Sequence, residues 1–587
     1  MAGTPSGSSA LGAGASLFVL QLGSRLFSFA LNQLLLRSTA PQAFGIATIQ
    51  LDTLMATVLF LVREGIRGAV VRTRKADTPN AVILQRQALL LPTLFSPLAA
   101  LAFFLYSRFV VPTPHPAYYK TTLALYGLST LAELVFEPLY LRTLQDWQTI
   151  TSKRVKVEGL AMLTKAIGTL VTVRLVSEDE ALLGYGIGQL VYSLTIWAGL
   201  AWILRSSTST QSPSLSLRKV DGRFFDQGIT ELGWVLTKQS VVKQLLTEAD
   251  KLAIGRFGST ADMGGYAVAL NYGSFVARLL FQPLEESSRL YFSSLASTSV
   301  HESASSPQKA AASTARPATK PARPPLPALA SAASYLRLLL LLYTHLTLIF
   351  IFLAPAYTTP LLHLLLGPRW SRTSASPILR TYALSLPFLA FNGLTEAFFQ
   401  SVAPAHWIQR GAAWMVVCAA GFAVSVWVTI GRWGMGAEGL VVANCVNMAM
   451  RTAFSTVFMV RYFGEALRSE EKGATGEAEG EEPGQGRQKE RRRIADNLKW
   501  RAWTPSVATV VVFVAGGIVC RRSEAVWTER VMLGNGAGGR KDDLMETGKH
   551  IAVGAVAGLI GLATIFLSHQ HEIRQALAAR RDRRKTE

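Results

Sequence analysis

Runs of about 20 mostly apolar residues recur along almost the whole chain, separated by short polar and basic stretches. A run of that length crosses the ~30 Å hydrocarbon core of a bilayer as one α-helix. The pattern therefore predicts six spans in a first half, at Leu11–Leu36, Phe44–Ile66, Ala81–Tyr106, Tyr118–Leu141, Val155–Val176 and Ala181–Leu204. A Ser/Thr-rich linker, Arg205–Asp226, leads to six more at Gly228–Phe257, Gly265–Phe292, Ser334–Tyr357, Pro377–Val402, Ile408–Ile430 and Met435–Val460. Two further spans, Trp503–Cys520 and Lys549–Leu567, bring the expected total to about 14. The expectation is an all-α polytopic membrane protein of two six-helix bundles plus two C-terminal helices.

The seventh span is polar enough for a hydropathy window to pass over it, and an internal repeat identifies it instead. Val58–Gly68 (V-L-F-L-V-R-E-G-I-R-G) returns 221 residues later as L-L-F-Q-P-L-E-E-S-S-R, with Leu59, Phe60 and Glu64 falling on Leu280, Phe281 and Glu285. The same offset carries Ser38-Thr39-Ala40 onto Ser259-Thr260-Ala261, Gln50 onto Asn271 and Thr53 onto Ser274. Duplicated halves of this kind are how many transporters are built, with the solute path between them. The implied organisation is a first lobe over 1–226, a second over 227–463 with an insert at 297–333, a charged linker over 464–500, and the two added helices with a basic tail over 501–587.

Composition agrees with the hydropathy pattern and narrows the chemistry. Of 587 residues half are hydrophobic, and the formal charge of +21 sits mainly in the loops between apolar runs. Basic loops there follow the positive-inside bias and the pull of anionic headgroups, not nucleic-acid binding. With a cytosolic N-terminus, cytosolic loops collect about 35 Lys and Arg against about 12 opposite, which places both termini in the cytosol. The first apolar run carries Arg25 near its middle, which argues against a cleaved signal peptide. Cys418, Cys445 and Cys520 lie in apolar runs and form no disulfide or zinc spacing. Ser297–Ala333, rich in Ser, Ala and Pro, and Glu465–Arg493, acidic and then R-Q-K-E-R-R-R, read as disordered cytosolic inserts.

A charge held in hydrocarbon costs several kcal/mol unless a cavity or partner compensates it, so polar residues inside spans mark the chemistry. Gln21, Arg25, Ser28 and Asn32 step by four, three and four residues and share one face of the first span. Gln239, Lys243, Thr247 and Asp250 make a second such stripe in the seventh span, with Lys238, Glu248 and Lys251 beside it. Arg63, Glu64 and Arg67 end the second span; Glu285, Glu286 and Arg289, with Arg278 a few turns earlier, end the eighth. Charges near a span end also snorkel to headgroups, whereas Arg25 and Lys243 lie too deep for that.

Two other patterns lead elsewhere. Gly534–Lys541 (G-N-G-A-G-G-R-K) approaches a phosphate loop, but Arg540 stands where Lys is required and no strand precedes it. Ser177–Glu180 (S-E-D-E) gathers carboxylates, but a four-residue hinge is too short to fold a catalytic domain. Neither an enzyme nor a cofactor is expected.

Gly45–Arg67, the run K-Q-S-V-V-K-Q-L-L-T-E-A-D-K at Lys238–Lys251, and N-Y-G-S-F-V-A-R-L-L-F-Q-P-L-E-E-S-S-R at Asn271–Arg289 resemble the eukaryotic RFT oligosaccharide-translocation family of the endoplasmic reticulum. The resemblance is strongest over the first two spans of each half, and the inserts depart from the family's shorter loops. It implies the fold of the multidrug/oligosaccharidyl-lipid/polysaccharide exporter superfamily and a role in N-glycan assembly. The expected substrate is a diphosphodolichol-linked oligosaccharide, moved from the cytosolic to the lumenal leaflet, with membrane lipids and other N-glycan assembly proteins as partners. On that substrate, Arg25, Lys238, Lys243, Arg63 and Arg67 would hold the diphosphate, and Gln21, Asn32, Gln239 and Asn271 the sugars. Glu64, Asp250, Glu285, Glu286, Arg278 and Arg289 would serve structure or gating. A non-transporting accessory role in lumenal assembly is the alternative; a small-cation antiporter would favour an acidic cavity over this basic set.

Overall fold

The computed structural model describes residues 30–73, 78–110, 116–145, 147–205, 217–304, 326–476, 485–533 and 540–586. Described residues are helical almost throughout, apart from an isolated bridge between Val220 and Arg223. The chain forms two compact units. One comprises the residues up to Ala267 with Leu365–Arg369, and the other comprises Val268–Leu364 with the residues from Trp370 onward. Five helices among the described residues are long and apolar enough to cross a membrane: Pro41–Arg72, Glu178–Arg205, Leu326–Leu366, His406–Arg432 and Lys541–Gln570.

The first unit contains α1 (30–38), α2 (Pro41–Arg72), α3 (Pro79–Ala88), α4 (Ser96–Phe109), α5 (Tyr119–Gln145), α6 (Trp147–Leu175), α7 (Ala181–Arg205) and α8 (Gln227–Phe257). The third expected span, Ala81–Tyr106, is not one helix. Pro92 and Pro97 each lack an amide and start new helical segments, so the chain turns between α3 and α4. Prolines also open α2 and α3 within their first turns, and Asp226 caps α8 by accepting the Ile229 amide at 2.9 Å.

The polar seventh span is a 31-residue helix, α8, lying along α2. Glycines set how closely these helices approach. A Cβ on Gly65 would stand 2.1 Å from Thr237 Oγ1 and 2.6 Å from the Gly233 carbonyl; one on Gly45, at the other end of α2, would stand 2.3 Å from the amide nitrogen of Gly264, on the helix that follows α8. Small residues do this in lipid because dispersion, not the hydrophobic effect, holds helices together there.

The second unit is built from α9 (260–304, its first turns in the first unit), α10 (Leu326–Leu366), α11 (Ala375–Val402), α12 (405–432), α13 (Gly436–Gly476), α14 (Gln485–Leu498), α15 (507–533) and α16 (Arg540–Thr586). Its core is aromatic: Phe292, Phe398, Phe458 and Phe463 are buried, and Phe292 and Phe398 meet edge to face at 5.0 Å. α15 and α16 attach to α10 through a polar cluster. His550 stacks on Tyr357 at 4.4 Å, and its ring nitrogens lie 2.8 Å from Ser523 Oγ and 3.0 Å from the Ala356 carbonyl.

Both repeated helices carry one wide π turn, Ile46–Leu51 in α2 and Ala277–Phe281 in α9. Both follow a short break, at 39–40 before α2 and at 258–259 before α9.

The inserts are more ordered than their composition suggests. α9 continues to Ala304 and α10 begins at Leu326, so only 305–325 of the expected loop 297–333 lie outside the described residues. In the second insert α13 runs on to Gly476 and α14 covers Gln485–Leu498; residues 477–484 lie outside the described set. α14 packs on α10, with Ile494 1% exposed in the core and Asn497 Nδ2 donating to Ser334 Oγ at 3.0 Å. Ile494, with Leu498 packed beside it, gives this basic helix its apolar contact, and α10 supplies the other half. The phosphate-loop-like Gly534–Lys541 falls mainly on residues outside the description, and Glu178 of the acidic hinge pairs with Arg369 at 2.9 Å.

Candidate functional site

Arg63 and Arg67 lie one turn apart on α2, and Glu133 and Glu137 one turn apart on α5, so the two helices present matched ladders. Arg63 Nη1 is 2.9 Å from Glu133 Oε2 and 3.7 Å from Glu137 Oε2. Arg67 engages both oxygens of Glu137, Nη2 donating at 2.8 Å and Nε to the other oxygen. The fork-on-fork geometry is available only to a guanidinium. The Glu137 side chain is 2% exposed, so its charge depends on these arginines. One turn further along α5, the Tyr140 ring centroid lies 4.1 Å from Arg67 Cζ, adding a cation–π contact.

Pro138, inside α5, explains how this ladder is seated. Its ring leaves the Leu134 carbonyl without its helical partner, and Thr93 Oγ1 donates to that carbonyl at 2.9 Å. The α3–α4 turn, broken by its own prolines, places Thr93 there.

Arg63, Arg67, Glu133, Glu137 and Tyr140, with Phe136, Glu158, Tyr192, Ser193, Ile196, Trp197 and Leu200, line a cavity of about 200 Å3 within the first unit. Arg154 stands 3.5 Å from Glu158, and Ser193 and Gln189 donate to Glu133 at 3.3 and 3.4 Å. Nearby on α2, Asp52 accepts from Tyr126 at 3.0 Å and faces Lys165 at 3.5 Å. Sequence reasoning took up Arg63 and Arg67 but not Glu133, Glu137, Asp52 or Lys165. The available signal was the four-residue spacing of both pairs, each set in an apolar run.

A second charged cluster lies inside the second unit. Glu396 of α11 accepts from Gln400 at 2.9 Å and Asn392 at 3.4 Å and is paired with Arg451 of α13. Glu285 of α9 pairs with Arg289 at 2.8 Å and rests on Gly393, where a Cβ would come within 2.9 Å of its oxygen. Glu396 and Arg451 also went unnoticed in the sequence.

The other expected site residues are distributed as follows. Gln21 and Arg25 lie outside the described residues, as do the side chains of Gln239 and Lys243. Lys238 is exposed, 5.7 Å from the Trp234 ring centroid, and Asn32 is half-buried on α1. Asp250 accepts from Tyr266 at 2.8 Å and from the Lys251 amide at 2.8 Å. Arg278 folds back on its own helix, donating to Ser274 Oγ at 3.2 Å and to the Asn271 carbonyl at 3.5 Å; Glu64 is half-buried and Glu286 exposed.

The family described as Rft protein matches residues 8–579. The chain is 30% identical over 505 residues to the Man(5)GlcNAc(2)-PP-dolichol translocation protein RFT1 of Yarrowia lipolytica, covering 77% of this chain and 70% of that one. It is 29% identical over 471 residues to the protein of that name from Candida albicans, covering 76% and 81%. With the Xenopus tropicalis protein it shares 27% identity over 472 residues, again 76% and 81% of the two chains. Among solved structures it is similar in fold to a lipid II flippase MurJ in an inward closed conformation, with a TM-score of 0.54 and 11% identity over 94% of this chain and 100% of that one.

Proposed function

The chain belongs to the Rft protein family, and from that membership we propose that it translocates a diphosphodolichol-linked oligosaccharide from the cytosolic to the lumenal leaflet of the endoplasmic reticulum membrane, for protein N-glycosylation. The observation that carries this reading is similarity over three quarters of the chain to proteins named for Man(5)GlcNAc(2)-PP-dolichol translocation. The loop charges support a multi-pass arrangement with both termini cytosolic.

In this reading Arg25, Lys238 and Lys243 draw the doubly negative diphosphate out of water through charge-assisted hydrogen bonds. Gln21, Asn32, Gln239 and Asn271 take sugar hydroxyls, while Glu64, Asp250, Glu285, Glu286, Arg278 and Arg289 hold the spans or gate them. The duplicated lobes, 1–226 and 227–463, alternate in access, and a few kcal/mol of differential binding is enough to shift such an equilibrium. Dolichol stays in the bilayer throughout.

A second reading, a non-transporting accessory factor of lumenal lipid-linked oligosaccharide assembly, has one observation in its favour: Arg63 and Arg67 are already neutralised by glutamates. Reconstitution separates the two. Purified protein in liposomes should speed the appearance of diphosphodolichol heptasaccharide in the opposite leaflet over protein-free liposomes. Tight lipid binding with no acceleration would instead support the accessory role.

A further inference from the structure

The cavity among α2, α5, α6 and α7 is lined by Arg63 and Arg67 and by Glu133, Glu137 and Glu158. Each of these carboxylates has an arginine within ion-pair distance, Glu158 through Arg154, which stands behind the lining. A wall of paired charges with one more carboxylate than arginine does not gather a phosphate. It does offer carboxylate acceptors and guanidinium donors side by side, which suits hydroxyl groups because each hydroxyl both donates and accepts. It also offers rings: Phe136 and Trp197 lie 4.9 Å apart between centroids, and Tyr140 and Tyr192 line the same space. Aromatic faces beside paired polar groups suit a ligand with alternating C–H and O–H faces, which is the chemistry of a pyranose. At about 200 Å3 the space is smaller than the roughly 300–1,000 Å3 of drug-sized ligand sites, and takes one sugar ring, not an oligosaccharide.

We propose that this cavity binds a single sugar unit of the lipid-linked oligosaccharide, apart from the residues that hold its diphosphate. The proposal rests on the substrate class named under Proposed function and deepens it. It moves Arg63 and Arg67 from the diphosphate to the sugar, on which they act together with their glutamate partners. Trp197, which the sequence did not single out, becomes the stacking platform.

The test uses the purified full chain and two probes, a short-chain polyprenyl diphosphate bearing Man(5)GlcNAc(2) and the same polyprenyl diphosphate without sugar. Trp197→Ala should weaken binding of the sugar-bearing probe by about tenfold and leave the sugar-free probe unchanged. Trp197→Phe should recover most of the loss. Equal weakening of both probes would assign the cavity to the diphosphate, and no change in either would empty it of a role; both overturn the proposal while leaving the substrate class standing. If wild-type protein binds neither probe, the substrate class itself falls and the sugar site with it. Should Trp197→Ala unfold, Tyr192→Phe removes one hydroxyl from the wall and gives the same discrimination through the ratio of the two affinities.

Discussion

Glu137 is covered on every side yet keeps two arginines within ion-pair reach. Removing Arg67 takes away the two-pronged partner and leaves Glu137 only the 3.7 Å contact with Arg63, so Arg67→Ala should cost about 3 kcal/mol and lower the thermal unfolding midpoint, while Arg67→Met with Glu137→Leu should recover most of it. The unfolding of detergent-purified variants checks both. Thr93→Val removes the hydroxyl that donates to the Leu134 carbonyl and should cost about 1 kcal/mol; adding Pro138→Ala restores the amide there and should remove the sensitivity to Thr93. Arg25→Ala and Lys243→Ala test the diphosphate assignment instead, and each should weaken binding of the lipid diphosphate by roughly ten- to a hundredfold with folding little changed. Arg25→Lys should fall between wild type and Ala, since it keeps the charge and loses the fork. At this scale the sequence was only half legible. It displayed Arg63 and Arg67 inside a span but could not show that Glu133 and Glu137, 70 residues away, meet them, because that contact is made by packing α2 on α5.

Between α2 and α8 glycine sets the closest approach. Gly65→Leu would drive a side chain into the Gly233 carbonyl and should cost about 3 kcal/mol or more, read as lost monodisperse protein. Gly159→Ala meets nothing within 4 Å and should stabilise α6 by about 0.5–1 kcal/mol, a matched control. α14 shows where composition misleads. Its charge density reads as disorder, but Ile494 is buried against α10, so Ile494→Ala should cost about 2 kcal/mol or more in the unfolding of the whole protein. Apolar runs announced most spans directly. The polar α8 did not announce itself, and only its repeat marked it, because in a bundle a helix needs apolar residues just where it meets lipid.

Across the whole chain, tolerance to change should follow which parts of the inserts are built into helices. Deleting 305–323, between the ends of α9 and α10, should leave glycosylation nearly intact in a complementation assay, whereas deleting 485–498 should abolish it by removing α14. Underglycosylation at normal protein level after the first deletion would show that the segment binds something. The repeat that announced the two halves also bears on how they have diverged. A π turn holds one residue more than an α turn, and each added residue rotates all that follows by about 100°. α2 takes its extra residue at Ile46–Leu51, and α9 takes its own about ten positions later in the shared numbering. Beyond both turns the phases agree again, so Glu64 and Glu285 project from equivalent faces. Between them, over 52–55 and the matching 273–276, the phases differ by that rotation, and Thr53 and Ser274 do not. The two repeated helices thus offer different side chains at matched positions without losing their alignment, and a chimera carrying the α9 π turn in place of that of α2 would turn Gln50 away from Tyr119, its present hydrogen-bond donor at 2.8 Å.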